Sequence, residues 1–133
     1  MIILSAVFIL NPKKIGVNLL LLLSATYFFA GLCKFNLGFI NFNWSYYFLE
    51  NTLGFSRTFA QLPFIKAIGF SIPFLESLAG ILLLSKYQKL VCKALIFFHV
   101  LILLYIGPLF LNVNPAFWPW NISIIIVLYF ILQ

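Results

Sequence analysis

The stretch IPFLESLAGILLLSKYQKLVCKALIFFHVLILLYI, residues 72–106, contains two apolar runs that a short basic segment separates. With the apolar residues beside them, both runs reach the length of about 20 residues that a helix needs to cross a bilayer. Glu76 lies in the first run, and His99, the one histidine of the sequence, lies in the second. Because ionisable side chains are costly at membrane depth, we expect both to face other helices and to be candidate functional residues.

Composition excludes an ordinary soluble domain. The 133 residues are 65% hydrophobic and only 8% charged, whereas a soluble globular domain is about 25% charged. At about 20 residues per span, this length allows four helices with short connections. The sequence therefore predicts an all-α membrane protein, a four-transmembrane-helix bundle that forms one domain over residues 1–133.

The apolar runs predict spans at about 15–33, 64–84, 94–111 and 117–132, with residues 1–10 as a further apolar segment near the interface. Residues 35–63, between the first two spans, mix polar side chains with many aromatic rings. Since amphipathic rings prefer the membrane–water boundary, we expect an interfacial aromatic loop with a short helix around 45–59. The predicted interfacial anchors are Trp44, Trp118 and Trp120.

The net charge of +6 comes from bases that flank the apolar runs. This placement favours contact with lipid headgroups over nucleic-acid binding. One side of the predicted bundle carries Lys13, Lys14, Lys86, Lys89 and Lys93, and the other carries Lys34, Arg57 and Lys66. Because cytoplasmic loops are richer in Lys and Arg, both termini are predicted to be cytoplasmic.

Small and polar residues form a stripe on the first span. Ser24, Tyr27, Gly31 and Lys34 are three, four and three residues apart, so one helix face carries all of them. Lipid-facing positions gain nothing from small or polar side chains, so this face should contact other helices. Lys34 either extends to the headgroups or forms an inward ion pair.

A second stripe lies on the second span, where Glu76 shares a helix face with small residues and a proline. Gly80 lies four residues after Glu76, and Pro73 lies three residues before it. We expect Gly31, Gly80 and Pro73 to serve helix packing, and Pro73 to kink the helix or to mark where its regular part begins.

Glu76 and His99 lie at similar depths in the predicted hairpin, at a rise of about 1.5 Å per residue from the basic turn. If they meet, the pair can carry protons or hydrogen-bond a quinone oxygen. The alternative is a polar clamp that only sets helix packing. A metal site is not predicted, because one His and two Glu are too few ligands.

Two motifs resemble the DoxX-like membrane proteins, particularly their MauE branch. YFFAGLCKF, residues 27–35, resembles the F-x-x-A-G-x-x-K end of the first helix in that group. IPFLESLAGILL, residues 72–83, is similar to its P-x-x-E-x-x-x-G second helix. The resemblance covers residues 20–105 or so, with the expected connection between the motifs.

This resemblance implies a four-helix membrane bundle with a link to redox chemistry. DoxX proteins are associated with a quinone-reducing thiosulfate dehydrogenase, and MauE with maturation of a disulfide-rich dehydrogenase. By analogy, Lys34, Glu76 and Gly80 correspond to the positions that mark the family's motifs, and Lys34 and Glu76 are a candidate ion pair. MauE-type proteins often carry a late Cys-x-Cys element, and its absence here speaks against thiol–disulfide chemistry.

We therefore expect a multi-pass protein of the bacterial inner membrane that serves a redox or redox-maturation system, with partner subunits or as a homo-oligomer. A quinone-like ligand would bind beneath the aromatic loop, near Lys34, Tyr27, Glu76 and His99. The alternatives are a non-enzymatic scaffold subunit and, with less support, a small transporter. The sequence leaves open whether the protein is an enzyme.

Overall fold

The computed structural model describes residues 15–106 and 117–133, and every regular element in these ranges is a helix. The predicted segment 1–10 and the far end of the third span, 107–111, lie outside the described residues. The elements are α1 (Ile15–Lys34), a π-helix (Phe39–Thr52), α2 (Arg57–Ala60), α3 (Pro63–Gly69), α4 (Ser71–Leu82), α5 (Gln88–Ile106) and α6 (Phe117–Leu132).

Three helical stretches of the described residues are long and apolar enough to cross a membrane: Ile15–Lys34, Pro63–Leu82 and Gln88–Tyr105. A helix suits this environment because it satisfies its backbone hydrogen bonds internally. The apolar helix α6 has only 16 residues, so the fourth span stays a prediction.

The third membrane helix begins earlier than predicted. We expected it from residue 94, but α5 starts at Gln88 and already includes Lys89 and Lys93. Lysine is a good helix former, and its long side chain can extend from a helix end to the headgroups. The basic connection is therefore shorter than the sequence suggested.

Pro73 explains why the second membrane stretch consists of two helices. Its ring excludes the carbonyl group four residues earlier, which is that of Gly69, and it has no N–H to donate. Accordingly, α3 ends at Gly69 and α4 begins at Ser71. The sequence predicted that Pro73 would kink the helix or mark where its regular part begins. In the structure, the helix is interrupted at one residue, Phe70, and continues from Ser71.

The connection between the first two spans is mostly helical, with more helix than the short one predicted around 45–59; its interfacial position stays a prediction. The side chain of Asn36 links two helix ends: its Nδ2 donates to the carbonyl of Cys33 (2.7 Å), and its Oδ1 accepts from the N–H of Phe39 (2.8 Å). The π-helix then buries one face, which includes Ile40 and Leu49. Helices with i→i+5 hydrogen bonds are rare.

The described residues form two compact units. One unit is Ser24–Ile81, and the other contains the described residues up to Leu23 and from Leu82 onward. Within the first unit, the π-helix contacts α2 and α3; within the second, α5 packs along α6. The buried apolar side chains of the first unit include Tyr27, Ile40, Leu49 and Ala60, and those of the second include Leu83, Cys92 and Leu128.

Candidate functional site: two polar pairs

Lys34 and Glu76 form an ion pair between the last turn of α1 and the middle of α4. The Nζ atom of Lys34 lies 2.7 Å from Oε1 and 2.5 Å from Oε2 of Glu76, so it donates to both carboxylate oxygens. The Lys34 side chain is 38% exposed and that of Glu76 is 20% exposed. Both charged groups are thus partly buried.

The ion pair forms because α1 and α4 approach each other closely at two glycines. A Cβ atom at Gly80 would lie 2.6 Å from the backbone nitrogen of Phe28 and 2.7 Å from the carbonyl oxygen of Ser24. A Cβ at Gly31 would lie 2.6 Å from the carbonyl oxygen of Pro73. Larger residues at either glycine would force the helix backbones apart and separate the charged groups.

Two serine hydroxyls strengthen this helix contact. Ser24 Oγ donates to the carbonyl of Gly80 (2.6 Å), and Ser77 Oγ donates to the carbonyl of Phe28 (3.2 Å). Lipid tails are as apolar as the side chains, so hydrophobic burial does not drive helices together in a membrane. Hydrogen bonds between helices help to hold them there instead. The polar stripe of α1 therefore faces α4, as its spacing predicts.

An aromatic surface adjoins the ion pair along the chain. Phe35, the residue after Lys34, stacks on Phe70, with ring centroids 6.4 Å apart and an angle of 18° between the planes. Tyr27, two helical turns before Lys34, is buried. Of the predicted ligand-binding residues, the Ser24–Ile81 unit thus contains Lys34, Glu76 and Tyr27.

His99 forms the second polar pair, with Asn121 of α6. The two ring and amide atoms, Nδ1 and Oδ1, lie 2.6 Å apart, and the side chains are only 9% and 3% exposed. Because an amide oxygen can only accept, the Nδ1–H of His99 donates to it. This pair joins α5 and α6 and belongs to the other unit.

The two ionisable residues that the sequence singled out therefore have different partners. Glu76 pairs with Lys34 inside one unit, and His99 pairs with Asn121 inside the other. For Lys34, the inward ion pair describes the structure better than extension to the headgroups. A direct contact between Glu76 and His99 stays a prediction from the sequence.

The three predicted tryptophan anchors differ in their surroundings. Trp44 Nε1 donates to the carbonyl of Ile65 (2.9 Å), and its ring packs on Gly69, where a Cβ would clash with it. Trp120 is 58% exposed, as an interfacial ring would be. Trp118 Nε1 is buried and has no partner among the described residues. Only Trp44 is thereby tied to a neighbouring helix through its indole N–H.

Sequence reasoning missed Asn121 and Ser77 as partners across helices. Each is a polar residue within an apolar helix, and that isolation was the available signal. It also missed two atoms on the π-helix, Ser45 Oγ and Glu50 Oε1, which are buried without a hydrogen-bond partner among the described residues. Nothing in the local sequence distinguishes Ser45, whereas Glu50 is the one acidic residue of the connection 35–63.

Comparisons with known proteins found no relative of this chain: no family model matches it, and neither a curated protein nor a solved structure matches it.

Proposed function

We propose that this chain is an integral membrane subunit or accessory protein of a redox or redox-maturation system, similar to the DoxX/MauE group, and that it binds a quinone-like ligand. The observation that carries the proposal is the Lys34–Glu76 ion pair. These are the two positions that the resemblance marks as charged partners. Gly80, the third marked position, lies in the same helix contact.

The ion pair has the hydrogen-bonding capacity that a quinone needs. A lysine ammonium has three N–H donors, and Glu76 accepts from Lys34 through two oxygens. The third donor is available to a quinone carbonyl oxygen. A carboxylate has about four lone-pair sites, so Glu76 can also accept from the hydroxyl of a hydroquinone. Lys34 and Glu76 thus suit both redox states of the ligand.

The surroundings of Lys34 fit the apolar part of such a ligand. The stacked rings of Phe35 and Phe70 offer an aromatic face directly beside Lys34 in the chain. Phe35 is 43% exposed, which leaves part of that face uncovered for a quinone ring. A bound quinone would accept or supply electrons and protons, while Lys34 and Glu76 would hold its oxygens.

We place the protein in the bacterial inner membrane as a multi-pass protein, with α6 as the fourth span and both termini in the cytoplasm. The support is the excess of basic residues beside the α4–α5 connection and before α1. In this arrangement the helical connection 35–63 faces outward. Partner subunits, or further copies of the chain, would complete the electron-transfer path.

A scaffold function without chemistry is the second candidate. The support for it is that these polar groups already have partners within the protein. Ser24 and Ser77 donate hydrogen bonds to backbone carbonyls, and Lys34 forms an ion pair with Glu76. Such contacts are sufficient to fix helix packing, at about 0.5–2 kcal/mol each. The protein would then hold partner subunits in the membrane without binding a redox ligand.

The test compares the wild type with Glu76→Gln after purification in mild detergent, by extracting bound quinone and recording partner subunits in native mass spectra. Glu50→Gln is the matched control, because it removes the other carboxylate of the chain. We expect quinone with the wild type and the control, and its loss from a folded Glu76→Gln variant. Absence of quinone from all three, with a partner retained, would contradict the redox proposal and support the scaffold.

A further inference from the structure

An apolar groove lies where three helix ends converge in the unit formed by residues up to Leu23 and from Leu82. The start of α1, the start of α5 and the end of α6 border it. Its volume is about 320 Å³, at the lower end of the range of about 300–1,000 Å³ for ligand pockets. The described residues that line it are Gly16, Val17, Leu20, Gln88, Phe130 and Ile131.

The lining suits a hydrocarbon chain with a polar group at one end. Gln88 is the one polar side chain among the described lining residues. The groove is too small for a whole phospholipid, but its apolar walls suit part of an acyl chain. Gly16 leaves space in the groove, since a Cβ built there would meet nothing within 4 Å.

Two lysines lie close to the lining residue Gln88 in the chain. Lys86 and Lys89 are both exposed, and they flank the start of the membrane-length helix Gln88–Tyr105. In a bilayer, basic residues at the end of a spanning helix lie near the lipid headgroups. The chain's two acidic residues, Glu50 and Glu76, are both in the other unit, so no acidic side chain of this unit neutralises these lysines.

We propose that this groove binds one acyl chain of an anionic phospholipid, whose headgroup phosphate contacts Lys86 and Lys89. The Lys86 ammonium also contacts the ring of Tyr87, the residue before Gln88, at 5.2 Å from the ring centroid. Gln88 donates from its amide to the headgroup or to an ester carbonyl. The site is independent of the Lys34–Glu76 pair and of the quinone proposal.

The test measures lipid binding to the full chain in detergent by native mass spectrometry. Phosphatidylglycerol and phosphatidylcholine with identical acyl chains are added separately, and inorganic phosphate is added in a third sample. We expect the wild type to prefer phosphatidylglycerol. Lys86→Gln/Lys89→Gln should weaken that binding roughly 25-fold, since each lysine near a charged membrane surface contributes about a fivefold factor.

Two further variants separate the headgroup from the acyl chain. Arg57→Gln/Lys66→Gln removes the same charge from the other unit and should bind phosphatidylglycerol like the wild type. Gly16→Leu fills the groove and should weaken both lipids. The proposal is overturned if both double variants lose phosphatidylglycerol equally, if Gly16→Leu binds it like the wild type, or if phosphate binds and neither lipid does.

Discussion

Glu76 accepts hydrogen bonds from a single ammonium group, so its substitution tests the ion pair directly. Glu76→Gln leaves Lys34 with a neutral acceptor and should lower the free energy of unfolding by about 1–2 kcal/mol. Thermal unfolding in detergent, followed by circular dichroism, measures this loss.

A double-mutant cycle controls for changes other than the pair itself. If the pair is the cause, Lys34→Gln combined with Glu76→Gln should cost less than the sum of the single substitutions. Strictly additive costs would mean that Lys34 and Glu76 stabilise the protein independently of each other.

Replacing Ser45 should not destabilise the protein, in contrast to replacing Glu76. Its hydroxyl is fully buried and has no partner among the described residues, so Ser45→Ala removes a polar group that gains nothing from burial. The free energy of unfolding should stay unchanged or rise by up to about 1 kcal/mol. Ser77→Ala, which removes a hydrogen bond to Phe28, is the control and should lower stability. A greater loss for Ser45→Ala would reveal a partner such as a bound water.

The His99–Asn121 pair is a buried contact between two polar side chains. Asn121→Leu leaves the Nδ1–H of His99 without its amide acceptor, and we expect a loss of about 1–3 kcal/mol in unfolding free energy. Adding His99→Phe removes the donor as well and should recover most of that loss. Chemical denaturation in detergent measures the stability of both variants. If the double variant is as unstable as Asn121→Leu, the loss does not arise from the Nδ1–H of His99 losing its amide acceptor.

At the scale of elements, the contact of α1 with α4 depends on backbone approach. Gly80→Ala places a methyl group 2.6 Å from the Phe28 nitrogen and should cost about 1–3 kcal/mol, because backbone atoms cannot move aside cheaply. Gly16→Ala is the matched control: its Cβ meets nothing within 4 Å, so higher helix propensity should add up to about 1 kcal/mol. Equal effects on thermal unfolding would show that packing at Gly80 is not limiting.

At the scale of the whole molecule, we expect α6 to cross the membrane as the fourth span. Four spans would put both termini on the same side, and the proposed orientation makes that side the cytoplasm, so green fluorescent protein fused after Gln133 should fluoresce and alkaline phosphatase there should be inactive. The same reporters fused after Leu62, in the connection that the proposal places outside, are the control and should give the reverse pattern. An active phosphatase after Gln133 would mean that α6 does not cross.

Much of the architecture could be predicted from the sequence, because transfer into lipid depends on composition and length alone. Runs of apolar residues predicted the three helical stretches that are long enough to span, and Pro73 predicted the break near Gly69. The periodicity of Ser24, Gly31 and Lys34 predicted which face of α1 contacts another helix. These are local properties of the chain.

Only the tertiary structure decided which polar groups pair. Lys34 could extend to the headgroups or turn inward, and the close approach at Gly31 and Gly80 brings it to Glu76. His99 pairs with Asn121, a partner that its sequence position did not indicate. Partner choice depends on the rotation and relative depth of two helices, which the apolar pattern of either helix leaves undetermined because many rotations bury the same side chains equally well.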